Sequence, residues 1–248
     1  MLRRALTWLA AAATLVAASG CSSAEGLRAQ ELLLQAQRAE TQLRTAAFEA
    51  GLSFTLAGQK VEVLLEGAGS KRAQYVSMSA NGLPGTAFDM GLVVRDDTAW
   101  LRMNGGWQRM PVPAEVDVGG SASLGSAAFQ ELTKHVEDVR VSEHQLVNGK
   151  PVTIIAGEVD TVGLLGSVSK LASLSGSAPE GMQLPDFDQL GAKIGDIRAV
   201  LTIDEGTHLL SSAIVKLTVE AAGEQLEVEL RYRLTAANEP VKIPSPSA

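Results

Sequence analysis

The sequence predicts an α+β fold, a curled antiparallel sheet wrapped over a few helices. Three observations predict it. Residues 27–47 place Leu32, Ala36, Leu43 and Ala47 at helical spacing among Arg, Gln and Glu. From residue 52 the apolar period changes to two, the signature of half-buried strands, and it returns at the C-terminal end. The strands fall in two runs, with helical spacing between them, which favours segregated α and β over a βαβ alternation.

Composition bounds the rest. The chain has 248 residues, 46% of them hydrophobic, enough for one domain with its own core. Its formal charge is −7 and only 4% of residues are aromatic, which argues against nucleic-acid binding, where affinity comes from Lys and Arg. The single cysteine, Cys21, excludes an intrachain disulfide and cysteine-rich zinc sites.

At the N-terminus, Arg3 and Arg4 precede an apolar run over 5–18 that is too short to cross a hydrocarbon core of ~30 Å comfortably. Residues 1–20 therefore read as a secretory signal. It ends Ala18-Ser19-Gly20-Cys21, which resembles a bacterial lipobox, with Ala18 where a larger aliphatic residue is usual. A plain secretory leader with an incidental cysteine is the alternative. The lipobox resemblance implies a diacylglyceryl cysteine at 21 and a short tether over 21–26. The folded domain is expected over 27–244, with a C-terminal tail over 245–248. Ser22-Ser23-Ala24-Glu25 fits a capping box opening the first helix.

Residues 52–110 predict a meander of about five strands. Val61, Val63 and Leu65 form one apolar row, Val76 and Met78 another, and Phe88, Met90, Leu92 and Val94 a third. Ala57-Gly58, Asn81-Gly82, Asp96-Asp97 and Asn104-Gly105-Gly106 supply the turns. After a Gly/Ser-rich stretch at 119–126, Phe129, Leu132, Val136 and Val139 predict a helix. Asn148-Gly149 predicts a hairpin joining Val141–Val147 to Pro151–Glu158. Thr161 is placed to cap a helix bearing Leu165, Val168 and Leu171, and residues 175–186 form a loop that embeds Met182 and Leu184. Three strands close the chain: Ala199, Leu201, Ile203; Val215, Leu217, Val219; and Leu226 to Leu234. The last alternates with Glu227, Glu229, Arg231 and Arg233, so it has one wet and one apolar face.

On these residues the chain resembles the LolA-like half-barrel carriers, most closely the actinobacterial LppX/LprG-type lipoproteins. The resemblance is carried by the lipobox followed directly by a helix. It is carried too by Asp97-Thr98-Ala99-Trp100 with Gly106-Trp107-Gln108 and Met110-Pro111, and by Asn148-Gly149-Lys150-Pro151-Val152 running to Gly157. The closing meander completes it, from Ile203-Asp204 through Tyr232-Arg233 to Asn238-Glu239-Pro240-Val241-Lys242-Ile243-Pro244. It implies a half-barrel around an apolar cavity for acyl chains, with no catalytic residues, metal or cofactor. The implied ligand is a lipid or acylated glycolipid, or a lipoprotein. The implied location is the extracytoplasmic face of the bacterial cell membrane, with a membrane transporter as a further candidate partner. An RseB-like regulatory lipoprotein, binding a membrane protein through a similar scaffold, is the competing reading.

On that reading Val63, Leu65, Val76, Met78, Met90, Leu92, Leu101, Met103, Ile154, Val215 and Leu217 face the acyl chains, and Met182 and Leu184 sit in a loop at the mouth. Several of these are methionines, flexible and polarizable enough to line an adaptable apolar site. Ordinary core packing explains the same stripes, and sequence does not say which rows face helices and which a cavity. Trp100 and Trp107 are either rim aromatics or packing anchors.

Catalytic patterns are weak. Ser167-Val168-Ser169-Lys170 and Ser79-Ala80-Asn81 match S-x-x-K and S-x-N, but in reversed order and without K-T-G. Asp186-Phe187-Asp188 echoes a calcium loop, but Leu190 replaces the third ligand and Ile197 stands where the bidentate Glu should be, so an unliganded loop is expected. His135 and His144 fit no zinc spacing. No enzyme is predicted.

Overall fold

The computed structural model describes residues 24–56, 59–82, 88–103, 105–112, 133, 135–160, 193–194, 197–221 and 224–246. Cys21, the 119–126 stretch, Phe129, Leu132, the helix expected after Thr161, and the 175–186 loop with Met182 and Leu184 lie outside them.

The order is α1 (Ala24–Thr41), then β1 (Thr45–Leu56), β2 (Gln59–Ser70), β3 (Ala73–Asn81), β4 (Phe88–Arg95), β5 (Thr98–Met103) and β6 (Trp107–Pro111). After them come β7 (Val136–Val147), β8 (Lys150–Val159), β9 (Lys193–Ile194), β10 (Arg198–Asp204), β11 (Leu210–Ala221) and β12 (Glu224–Ala237). All pairings are antiparallel, in the order β6-β5-β4-β3-β2-β1-β12-β11-β10-β8-β7, with β9 pairing β11. Two meanders are thus fused where the last strand pairs with the first. The sheet is not closed, and it is the curled half-barrel that the sequence predicts.

Alternation along the strands explains why the sheet forms. In β12, Tyr232 is buried while Glu227, Arg231 and Arg233 are exposed on the other face. There Arg233 pairs with Glu49 at 2.8 Å and Lys216 with Glu229 at 3.1 Å, and Arg231 also holds Glu229. Such exposed pairs contribute at most about 1 kcal/mol each and serve mainly to keep this face in water.

The helix lies across the other, inner face. Gly26, Ala29, Leu33, Ala36 and Glu40 form its buried stripe. Small residues in that stripe bring it close to the sheet. Ala29, Leu33 and Ala36 join Phe48, Ile155, Leu201, Ile203, Ala213, Val215 and Tyr232 in the main core. Beyond the helix, Leu43 packs with Ala46 and Leu209. The 18-residue helix is about 27 Å long. Its backbone approaches β7 most closely; its first turns lie at the β7–β8 tip, where Arg28 lines a pocket with Leu146 and Pro151, and its last turn leads into β1.

Four expectations are corrected. The helix ends at Thr41, not 47: Gln42 and Leu43 donate to Ala39 and Glu40 in a tightened last turn. Residues from Thr45 on pair on both sides, with β2 and β12, and a ladder with two neighbours outweighs the helical spacing of Ala47. Consequently the first meander has six strands, not five. Val136 and Val139 belong to a strand, not a helix. Their three-residue spacing comes from a bulge between Glu137 and Arg140, where Asp138 has φ +46°. Finally, α1 is the one helix longer than a single residue among the described residues, so most of the helical layer expected is not among them.

The predicted hairpin is present. Asn148 (φ +52°) and Gly149 (φ +78°) both take the left-handed conformation that a two-residue I′ turn requires. The Asp204-Glu205-Gly206 turn also forms, with Asp204 Oδ1 accepting from the backbone of Gly206 at 2.9 Å and Thr207 at 2.8 Å.

Candidate functional site

The inner face is apolar on both sides of the β1–β12 junction, but its described residues pack differently on each. Register places one continuous row across the sheet: Val141, Ile155, Leu201, Ala213, Tyr232, Ala50, Leu65, Met78, Met90 and Met103. On the α1 side Ile155, Leu201 and Ala213 are fully buried. Past the junction the row loosens, and Met103 is 51% exposed. The flanking rows do not loosen in the same way: on this face Val61, Ala80, Val94 and Ala99 are buried, and Val63, Val76, Leu92 and Leu101 are half-buried. Val63 lies between Leu52 and Ala80, and Val76 between Gly67 and Leu92, which in turn pairs Leu101.

Every predicted lining residue among the described ones therefore shares this inner face, with one exception. Ile154 pairs Thr202 and faces outward, because Ile155 takes the inner position opposite Leu201. A two-residue period leaves only one of the pair inside, and the core position belongs to Ile155. Val215 and Leu217 do face inward, but into packed core: Val215 is fully buried in the main cluster and Leu217 packs against it. Neither of the two core clusters formed by described residues has a buried member from β2–β6, and only Leu65 reaches across to pack on one.

At the boundary stand two aromatics. The Phe48 ring stacks on Tyr232 with centroids 6.0 Å apart, and it lies directly over Gly67, where any Cβ would collide with it. Phe48 thus stands at the edge of the packed cluster, which Leu65 of β2 also reaches.

The tryptophans are packing anchors. Trp100 and Trp107 fall on the outer face, in register with Val93 and with Arg102. Trp107 covers Gly91, and the Arg102 guanidinium sits 5.3 Å from its ring centroid.

Two polar groups were not anticipated. Glu40 is 1% exposed and neither carboxylate oxygen has a hydrogen-bond partner. Burial pushes its pKa up to about 7. Tyr232 beside it is pushed upward as well, first by burial and then by the Glu40 charge. The helical face Ala29-Leu33-Ala36-Glu40 was the signal available in sequence. The second group lies at the α1 N-terminal end. Glu205 Oε1 is 2.7 Å from His144 Nδ1 and accepts from the Thr153 hydroxyl at 2.7 Å. Hydrogen bonding from His144, then Thr153, holds Glu205 below the usual carboxylate range. No sequence spacing joins residues so far apart. These residues border a pocket of about 540 Å³ lined by Arg28, His144, Gln145, Leu146, Pro151 and Glu205. It lies away from the apolar rows, and its charged lining is unsuited to an acyl chain.

Among the described residues the architecture is an open antiparallel sheet with an apolar inner face and one helix packed on it. Among solved structures, the chain is similar to LprF from Mycobacterium bovis, at 14% identity and TM-score 0.49, covering 91% of this chain and 100% of that one. It is similar to the Mycobacterium tuberculosis lipoprotein LppX, at 16% identity and TM-score 0.42, covering 87% and 99%. A LolA superfamily protein from Nitrosomonas europaea is similar at 7% identity and TM-score 0.25, covering 82% and 90%. No family model matches the chain, and no curated protein does.

Proposed function

We propose that the protein is a lipid-anchored envelope protein that binds acyl chains of lipids or glycolipids on the inner face of β2–β6 and carries or presents them. The observation that carries this reading is the row Leu65, Met78, Met90 and Met103, with Val63, Val76, Leu92 and Leu101 beside it. It is an apolar surface aligned by register with the packed core, yet without a place in that core. Burying an acyl chain there contributes ~0.8 kcal/mol per CH₂, so a C16 chain contributes roughly 10 kcal/mol before ordering costs. The role is binding rather than catalysis. Cys21 is the acylated residue, on the extracytoplasmic side of the cell membrane, and Met182 and Leu184 border the mouth. Mass spectrometry of an organic extract of the purified protein tests the reading. Stoichiometric lipid is expected. An extract free of lipid, with a membrane protein co-purifying instead, would replace the carrier with a regulatory lipoprotein.

A further inference from the structure

The described chain enters at Ala24, three residues after Cys21. Three extended residues span at most about 10 Å. A diacylglyceryl group on Cys21 would therefore hold the first turn of α1 within about 10 Å of the lipid headgroups.

Three of the exposed large aliphatic side chains, two of them the most exposed, lie at that same end of the molecule. Leu146 is 71% exposed and Val147 40% exposed, side by side at the tip of the β7–β8 hairpin. Leu27, in the first turn of α1, is 57% exposed. Arg28 and Leu146 line one pocket together with Pro151, which places the helix start against the hairpin tip. The cations Arg28 and exposed Lys150 flank these aliphatics. Scattered exposed leucines are ordinary. Here they cluster on a tip whose turn is fixed by Asn148 and Gly149, beside the point where the anchor must attach. Glu25 and Glu205 at the same end offset these two cations, so the aliphatic side chains are what would enter the headgroup boundary of a bilayer.

We propose that the β7–β8 tip, Leu146 to Lys150, together with the first turn of α1, docks on the membrane surface that holds the anchor. The occupant is the lipid surface itself, and docking fixes which end of the half-barrel faces it. The proposal rests on acylation of Cys21 and goes beyond it by assigning an orientation.

The test uses the mature acylated chain in vesicles of phosphatidylethanolamine and phosphatidylglycerol. Since Cys21 is the chain's one cysteine and its sulfur is blocked by the thioether, Leu146→Cys can be labelled selectively with an environment-sensitive fluorophore. Val147→Cys is a second site, and Glu227→Cys, at the opposite end of the strands, is the reference. Flotation with the vesicles reports the anchor separately. Labels at 146 and 147 should be blue-shifted, quenched several-fold more by a lipid-borne nitroxide than the label at 227, and less by aqueous iodide. Floating protein whose 146 and 147 labels match 227 would overturn docking while leaving the anchor intact. Shielding from iodide without lipid quenching would place a second copy on the tip and overturn it too. Protein that does not float would remove the anchor and the proposal together.

Discussion

The two sides of the inner face differ less in sequence than in how their described residues pack. On β7, β8, β10, β11, β12 and β1, rows of Val, Leu, Ile and Ala close under α1 into one buried cluster. On β2–β6 the rows are at least as apolar, and richer in methionine, but they stand outside that cluster. Apolarity alone does not separate a core from a binding surface. Among the described residues the separation lies in which rows pack with α1: no buried member of that cluster comes from β2–β6, and the Phe48 ring stands over Gly67 at its edge.

Truncation should break the symmetry most. Leu201→Ala removes a fully buried side chain from the packed half and should cost about 2–5 kcal/mol. Met78→Ala, a half-buried side chain outside that cluster, should cost well below that and reduce bound lipid instead. Chemical denaturation of both variants checks the contrast, and equal losses would erase it.

Glu40 sharpens the same contrast, because α1 buries it. Its carboxyl has a pKa of about 7 in the fold against 4.5 for the unperturbed group. The folded state therefore binds the proton more tightly than the unfolded state. Stability is greatest below pH 4.5, falls as pH rises toward 7, and levels off above that. The full change is about 3 kcal/mol. Glu40→Leu should flatten this pH dependence and stabilise the protein at pH 8, as melting curves across the range would show.

Overpacking gives a smaller effect. Val215→Trp, in the packed half, should cost about 1–3 kcal/mol. That corresponds to a melting temperature lower by several degrees, at about 2–4 °C per kcal/mol for a domain of this size. The least effect is expected at the β7–β8 turn. Gly149→Ala forces an L side chain to φ +78° and should cost about 1 kcal/mol, read from the shift in denaturation midpoint.

Much of the sheet is legible in sequence where alternation is strict and turns are chemically explicit. The closing strands and the Asn148-Gly149 hairpin are examples. Legibility fails where a second period intrudes. Ala46, Phe48, Ala50, Leu52 and Phe54 alternate, but alanines blur the first of these into the preceding helix. At Asp138 a bulge converts strand spacing into apparent helix spacing. At the site, period two places the predicted rows on one face, and only Ile154 falls on the wrong side. Coverage is not legible: nothing in the strand of Val215 separates it from that of Met90, because the helix that makes the difference is remote in sequence. The His144, Thr153 and Glu205 group is hidden for the same reason.

The central claim is that the inner face of β2–β6 is an acyl-chain surface and not unfinished core. Met90→Trp tests it most directly, with bound lipid per mole of protein and melting temperature measured on the same preparation. The account predicts that bound lipid falls sharply while the delipidated protein melts within a degree or two of wild type. A Met90→Trp protein that retains its lipid and loses stability as Val215→Trp does would show that β2–β6 is packed core, and would contradict the account.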